Sequence, residues 1–256
     1  MALVNVEIMS IYKKSGQQVL LPATMARCTP DMQGSIQKVA VSLATHGGQL
    51  VLSDLFRSYD MQLQSYLDYK NGKKSAYSPP PGGSMHEAGR AMDLDLNSLR
   101  MSLADFWDIA RDCGLTPIIA TPNSGAKEAW HFDCRGSHDK VYQYYAAGKA
   151  TNMKPYQAMA ASAILAVGIK VDRFQGNEAA AAVQGALIRL DQDPGNIDGA
   201  IGTKTRTALN AVNVPFDEAS TMLKALEVQL LQEFPGEFNP PSVNDFDDTA
   251  PGDVNV

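Results

Sequence analysis

Two short stretches of the sequence carry residue types that bind metal ions. The first contains His86 and, seven residues later, Asp93; the second contains Glu128 and, three residues later, His131. A catalytic zinc site needs three protein ligands, an open position for water and a separate base, and two imidazoles with two carboxylates supply these groups. The two stretches therefore indicate a metal site in which Glu128 stays near the ion without binding it.

Simpler interpretations of these residues remain open on spacing alone. His86 could cap a turn, Asp93 could be a surface residue of a strand, and His131 could be a hydrogen-bonded core histidine. Two histidines and one carboxylate are also the ligands of non-haem iron oxygenases. A protein that binds its target without catalysis could retain the same metal fold.

The chain around the two stretches predicts strands preceded by loops. Residues 91–96 alternate between small or acidic and apolar side chains, which is typical of a strand with one side facing a site and the other facing a core. A loop at 70–83, rich in glycine and proline, comes directly before the first stretch, and 130–133 predicts a second short strand. Other patterns predict helices at 32–44, 60–69 and 103–113 and strands at 49–53 and 116–121.

This order of elements predicts an α+β fold in which an antiparallel sheet carries the site, followed by a small three-helix domain. The boundaries that we infer are a domain with the metal site at 1–150, a helical connector at 151–176, the three-helix domain at 177–234 and an acidic, disordered tail at 235–256. A chain of 256 residues is long enough for one substantial domain and a smaller one.

The charge distribution excludes one class of partner. Six of the 28 acidic residues lie between Glu233 and Val256, where there is no lysine or arginine. The other 22 acidic residues balance the 22 basic ones, so the body of the protein is nearly neutral. A nucleic-acid-binding protein should instead present a basic face.

The sequence also predicts where the protein is made and that its cysteines and its other two histidines are not part of the site. No apolar run approaches the roughly 20 residues that span a bilayer, and no secretory signal precedes the first strand, so we expect synthesis in the cytoplasm without membrane insertion. The three cysteines form no CxxC pair and are expected to be buried or inert thiols. His46 and His138 are expected to be ordinary surface histidines.

The two metal-binding stretches resemble the zinc D-alanyl-D-alanine carboxypeptidase family. That family includes vancomycin-resistance-type carboxypeptidases and dipeptidases and phage L-alanyl-D-glutamate endopeptidases. The resemblance covers roughly residues 34–135. The matching positions are Ser84, His86, Gly89, Ala91, Asp93, Glu128, Trp130 and His131.

The resemblance implies a role for each matching polar residue. His86, Asp93 and His131 would bind one Zn²⁺ ion, and Glu128 would be the catalytic base. Asp95 and Asp133 are candidates to hydrogen-bond the ligand imidazoles, although solvated strand positions explain them equally well.

A segment upstream of the metal site departs from the family at one point. The family has Gly-Tyr before the arginine, whereas this chain has Leu55-Phe56 before Arg57. The arginine itself is present and is implied to bind a substrate carboxylate or carbonyl oxygen. Gln62, five residues after it, and Ser84 are implied to contact the substrate.

The three-helix region has a resemblance of its own. Its Asp-Gly-x-x-Gly-x-x-Thr pattern, from Asp198 to Thr205, is similar to that of a peptidoglycan-binding domain. Together the two resemblances imply a monomeric, endolysin-like peptidase that hydrolyses stem-peptide bonds of peptidoglycan after release by a holin or a dedicated export machine. A host D-Ala-D-Ala carboxypeptidase is the alternative, and the bond that is cut stays open.

Overall fold

A mixed β-sheet forms the first part of the fold. The computed structural model describes residues 1–241. Its strands are β1 Val4–Asn5, β2 Met9–Lys14, β3 Gln17–Leu20, β4 Arg27–Cys28, β5 Val51–Asp54, β6 Ala91–Leu94, β7 Thr116–Pro117 and β8 His131–Asp133. Six of them form one sheet in the order β3-β2-β5-β6-β8-β7, and β1 pairs separately with β4.

The predicted antiparallel sheet is confirmed for the strands around the candidate site. Strands β5, β6, β8 and β7 pair antiparallel in that order. The pairing of β2 with β5 is parallel, so the whole sheet is mixed. The strand predicted at 116–121 ends at Pro117, after which the chain enters the long loop that leads to Glu128.

Eight α-helices accompany the sheet in the described part of the chain. They are α1 Pro30–Thr45, α2 Tyr59–Lys70, α3 Leu103–Asp112, α4 Asp139–Ala146, α5 Pro155–Ala166, α6 Glu178–Arg189, α7 Thr203–Ala211 and α8 Ala219–Glu233. The three helices predicted before residue 114 are all present, with bounds within two residues of those expected. Local signals explain this accuracy: Pro30 opens α1, and the hydroxyl of Ser102 accepts a hydrogen bond from the N–H of Asp105 at the start of α3.

Strand β6 lies between two cores, whereas its alternating pattern predicts one side facing a core and the other facing the site. Met92 and Leu94 pack with residues of α1 and α3, including Leu43 and Phe106. Ala91, on the opposite side of β6, packs with α4, α5 and α6. Asp93 shares the side of Ala91, because side chains alternate along a strand.

The helices after residue 150 pack directly on the part of the chain that carries the site. Helix α5, in the predicted connector, contacts Met85 and Ala88 of the 3-10 helix Met85–Ala88. Helix α6 adds Ala181 and Ile188 to the same core. Helices α6, α7 and α8 also share a smaller apolar cluster of their own.

The tail predicted from residue 235 is wrong for its first part. Residues 235–237 form a 3-10 helix, and Glu237 is only 4% exposed. Its carboxylate forms ion pairs with Arg90 and Arg189, whose charges make burial of an acid favourable. Residues 242–256, to which the rest of this prediction applies, lie outside the described residues.

None of the helices described between residues 1 and 241 is both long and apolar enough to cross a membrane.

Candidate metal centre

A tight turn positions His86 relative to the strand that follows it. His86 lies on the 3-10 helix Met85–Ala88, which ends at Gly89 in a left-handed conformation with φ of 64°. A Cβ atom at this position would lie 2.8 Å from the Cα of Cys28, so only glycine fits. The chain then enters β6, which brings Asp93 back towards His86.

Sheet register brings the other two predicted ligands together. Asp93 of β6 pairs directly with His131 of β8. The Oδ1 atom of Asp93 lies 2.9 Å from Nδ1 of His131 and 3.3 Å from Nε2 of His86. All three residues are buried, and one ligand atom from each lies within 4.8 Å of the other two. The predicted ligands therefore converge on one point.

The second nitrogen of each imidazole has its own hydrogen-bond partner. Nδ1 of His86 donates to the carbonyl oxygen of Leu55 at 2.8 Å, which leaves Nε2 as the metal-facing atom. Nε2 of His131 donates to Oδ1 of Asp133 at 2.9 Å, which leaves Nδ1 facing the centre. Partners of this kind fix the tautomer and the ring orientation of metal-binding histidines. Nε2 of His86 makes no hydrogen bond within residues 1–241, so these residues fit a bound metal ion.

The electrostatics of the cluster favour a cation at its centre. Burial alone would raise the pKa of Asp93, but the imidazoles of His86 and His131 hold it well below its ordinary value. Burial lowers the pKa of His131, yet Asp133 and Asp93 outweigh burial and raise it to about 10. The two carboxylates thus favour a proton on the imidazole of His131 when no other cation is present. A metal ion and this proton compete for the same lone pair.

Glu128 lines a cleft of about 490 Å³ together with His86 and His131, two of the three predicted ligands. Burial raises the pKa of its carboxyl, and the charge of His131 opposes this shift. Its Oε1 atom has no hydrogen-bond partner in the described chain. The residue sits in the left-handed region with φ of 66° at the end of its loop. The role of Glu128 as a base close to a bound ion stays a prediction.

Arg57 lines the same cleft and also hydrogen-bonds a predicted metal ligand. Its Nη2 donates to Oδ2 of Asp93 at 3.2 Å, and its Nε donates to Asp54. Its Nη1 donates to the side-chain oxygen of Gln62 at 3.3 Å. Because Arg57 binds Oδ2 of Asp93, the other carboxylate oxygen, Oδ1, points towards the two histidines.

The two predicted substrate contacts lie in different places. Ser84 lines the cleft. Gln62 is fully buried behind Arg57, and its amide nitrogen donates to the hydroxyl of Ser78 and the carbonyl oxygen of Pro79. The Gln62 amide therefore supports Arg57 and the loop at 78–79, and it does not reach the cleft.

A buried acid next to His86 shapes the same rim of the cleft. The carboxylate of Glu87 accepts hydrogen bonds from the backbone N–H groups of Gly82 and Ser84. Burial raises the pKa of Glu87 to about 7, against the lowering effect of these N–H groups. Glu87 thus connects the end of the loop at 70–83 to the 3-10 helix Met85–Ala88 through hydrogen bonds.

The remaining polar predictions have mixed outcomes. Asp133 is the fully buried partner of His131, whereas Asp95 caps the short 3-10 helix Leu96–Ser98 and contacts neither ligand imidazole. His46 is exposed as expected. The prediction for His138 is wrong: it is fully buried and its ring bonds the hydroxyl of Ser162. Burial and the nearby cations Arg189 and Arg90 hold its pKa well below the ordinary value, so it is neutral.

The cysteines take no part in the centre. Cys28 and Cys134 are buried, Cys113 is half-buried, and none of the three forms a disulfide. No sulfur atom belongs to the ligand cluster found among residues 1–241.

Helix α5 supplies cleft residues that the sequence patterns do not indicate. The cleft is lined at the beginning of this helix by Lys154, Tyr156 and Gln157. Lys74 and Tyr77, from the loop at 70–83, line it as well. The hydroxyl of Tyr156 donates to Oδ1 of Asp133 at 3.1 Å. Since α5 lies beyond the stretch that carries the family resemblance, only the tertiary structure reveals this contribution.

Comparison with known proteins gives similarity at the level of solved structures. No protein-family model and no curated protein matches the chain. The chain is similar to an L,D-carboxypeptidase, DacB, from Streptococcus pneumonia, with 21% identity, a TM-score of 0.34, and coverage of 53% of this chain and 85% of that one. It is also similar to the LdcB LD-carboxypeptidase, whose structure is described in terms of peptidoglycan recognition, with 22% identity, a TM-score of 0.35, and coverage of 58% and 92%.

Proposed function

We propose that the protein is a zinc-dependent peptidase that hydrolyses stem-peptide bonds of peptidoglycan. The observation that carries the proposal is the convergence of His86, Asp93 and His131 on one buried point with Glu128 beside it in an open cleft. This arrangement has the parts of a catalytic zinc site: three protein ligands, access for water and a separate base.

The proposed mechanism assigns each step to a residue of the cleft. When bound, a zinc ion supplies the Lewis acidity that makes water a nucleophile near neutral pH and polarises the peptide carbonyl. Glu128 accepts the proton of the attacking water and passes it to the leaving amine. Arg57 keeps its positive charge at any physiological pH and stabilises the negative charge that develops on the carbonyl oxygen, or binds a substrate carboxylate.

The charges of the cleft support an anionic peptide as the substrate. Lys74 and Lys154 line it, and neither forms an ion pair with a carboxylate within residues 1–241. Glu128 is the only acidic residue among the residues that line the cleft. Peptidoglycan stem peptides carry free carboxylates, which these lysines and Arg57 would attract.

The position of the cut bond divides the proposal into two forms. An endolysin-like enzyme would cut within the stem peptide, and helices α6–α8, with the Asp198–Thr205 pattern, would hold it on the wall and raise the local substrate concentration. A carboxypeptidase would remove a terminal residue, and the three cationic side chains of the cleft would then bind the terminal carboxylate. The likeness to DacB and LdcB, named as carboxypeptidases, is the reason to test this second form.

Location and assembly are part of the same proposal. The enzyme would act on the wall as a monomer after holin-type or dedicated release. An iron oxygenase would use the same three ligands but would leave Glu128 and Arg57 without a role, and metal analysis of the purified protein distinguishes the two.

Replacement of Glu128 tests the mechanism. We expect Glu128→Gln and Glu128→Ala to retain one zinc ion per chain and to hydrolyse purified peptidoglycan about 10²–10⁴-fold more slowly, because general base catalysis contributes that much. Glu7→Ala, which changes an exposed acid, is the matched control. Hydrolysis by the Glu128 variants at the parent rate would overturn the mechanism. Mass spectrometry of the released muropeptides identifies the new termini and so the bond.

A further inference from the structure

We propose that Tyr156 of helix α5 is a positioning residue for the metal ligand His131 and acts on it through Asp133. This inference rests on the metal site of the proposed function and goes beyond it. It means that the second half of the chain completes the metal centre.

A continuous chain of hydrogen bonds connects Tyr156 to the centre. The Tyr156 hydroxyl donates to Oδ1 of Asp133 at 3.1 Å, and the same oxygen accepts from Nε2 of His131 at 2.9 Å. Nδ1 of His131, on the far side of the ring, faces Oδ1 of Asp93 at 2.9 Å. A displacement of Asp133 would therefore rotate the metal-facing nitrogen of His131.

Asp133 has few other groups to hold it. Its side chain is fully buried, and its Oδ2 atom has no hydrogen-bond partner within residues 1–241. Nε of Arg135 lies 3.9 Å from Oδ2, which is too far for a hydrogen bond. Tyr156 is thus the only group, apart from His131 itself, that donates a side-chain hydrogen bond to Asp133 in the described structure.

The hydroxyl of Tyr156 is suited to this task because it stays protonated. Burial, together with the negative charge of Asp133, holds the pKa of Tyr156 well above its ordinary value. A protonated phenol next to a carboxylate donates its only hydrogen to it. The hydrogen bond therefore runs from the phenol to the carboxylate.

Helix α5 also packs against the segment that carries the other predicted histidine ligand, His86. Pro155 begins the helix, and α5 packs along the 3-10 helix Met85–Ala88, which carries His86. Ala158 and Ile164 of α5 are fully buried in the core that Met85 and Ala88 share. One helix thus supports His86 through packing and His131 through Tyr156 and Asp133.

Metal affinity tests the inference without reference to hydrolysis. We would measure the dissociation constant of Zn²⁺ for the full chain by competition with a chromophoric chelator, and the visible spectrum of the Co²⁺-substituted protein. Partners that hydrogen-bond a metal-binding imidazole change affinity about 10–100-fold when they are replaced. We expect Tyr156→Phe to weaken Zn²⁺ binding about tenfold and to shift the Co²⁺ spectrum, and Asp133→Asn to weaken binding more.

Tyr145→Phe is the matched control. Tyr145 is a buried tyrosine of the core against which the half-buried Tyr156 packs, and its hydroxyl donates to Asn152 and accepts from the N–H of Ile197, neither of which is a predicted ligand. We expect this variant to lose thermal stability but to keep the parent dissociation constant and Co²⁺ spectrum. An unchanged constant for Tyr156→Phe, or an equal loss for Tyr145→Phe, would overturn the inference.

A double variant separates an action through Asp133 from a general effect on folding. If Tyr156 acts through Asp133, then Tyr156→Phe should weaken Zn²⁺ binding no further once Asp133→Asn is present. Additive losses would refute the route. Absence of zinc binding in the parent protein would refute the proposed function as well, whereas tight zinc binding without hydrolysis would refute only the proposed function.

Discussion

The candidate metal centre and the cluster around Glu237 both bury charge, but they balance it differently. Around Glu237, the carboxylate pairs with Arg189 and Arg90 and accepts hydrogen bonds from the N–H and hydroxyl of Ser137. Arg90 pairs in turn with Asp31. Two acids thus match two bases, and protein groups alone compensate every charge.

At the metal centre the protein groups leave the balance incomplete. Asp93 faces two imidazoles whose outer nitrogens are already occupied, and Nε2 of His86 makes no hydrogen bond among residues 1–241. The difference teaches how to separate a buried ion-pair cluster from a ligand site. The first pairs each buried charge with a charge of opposite sign, whereas the second leaves Nε2 of His86, at the point where the three side chains converge, without a hydrogen bond within residues 1–241.

Removal of a metal ligand should produce the largest effect. We expect His131→Ala to lose stoichiometric zinc and to reduce peptidoglycan hydrolysis by at least the 10²–10⁴-fold expected for loss of the base, because the reaction loses the Lewis acid itself. Removal of the metal from the parent protein with a chelator should reduce hydrolysis to the same extent, and added Zn²⁺ should restore the parent rate. His46→Ala, at an exposed histidine, is the control for both assays. If His131→Ala still bound one zinc ion tightly, the three residues would not be the ligand site, and their contrast with the ion-pair cluster around Glu237 would fail.

Removal of Glu237 should affect stability and leave the metal centre intact. Loss of one partner from a buried, hydrogen-bonded ion pair costs about 3–5 kcal/mol, because the remaining charge stays buried without compensation. We expect Glu237→Ala to lower the free energy of unfolding in urea by that amount at an unchanged Zn²⁺ dissociation constant. Glu233→Ala removes a more exposed partner of Lys140 and should cost less than about 1 kcal/mol. Equal costs for the two variants would contradict the prediction.

Lowering the pH should reduce the stability that this cluster contributes, by less than removal of Glu237 does. Burial would raise the pKa of Glu237, but Arg90, Arg189 and the hydrogen bonds from Ser137 hold it below its ordinary value. The unfolded carboxyl therefore binds a proton at a higher pH than the folded one. The stability that Glu237 contributes is present at neutral pH and is lost as pH falls below about 4.3 towards the pKa of the folded state.

The free energy of unfolding of the metal-free protein, measured from pH 7 to pH 3, checks this expectation. It should fall more steeply for the parent than for Glu237→Gln, whose amide does not titrate. Parallel curves would show that this carboxylate is not the one that titrates.

The sequence predicts those parts of the site that depend on local signals. The spacing of His86 and Asp93 around Gly89, and the alternation along β6, are properties of ten consecutive residues, and the structure has both. The direct pairing of Asp93 with His131 is a matter of register between strands 38 residues apart, which local patterns do not encode.

The errors share a physical cause. Glu237 lies in an acidic, proline-containing segment that resembles a solvated tail, and only the distant Arg90 and Arg189 make its burial favourable. His138 is buried because α5 brings Ser162 against its ring. In each case a long-range partner overrides what the local composition predicts.

Helix α5 has a consequence for anyone who builds chimeric proteins from this chain. A cut at residue 150, where the family resemblance has already ended, would strip α5 from Met85, Ala88 and Ala91, all of which are fully buried against it. The resulting fragment would expose an apolar face beside its own ligand His86. A fusion that exchanges the C-terminal helices should therefore make its junction after Ala166, so that α5 stays with the half of the chain that contains His86 and His131.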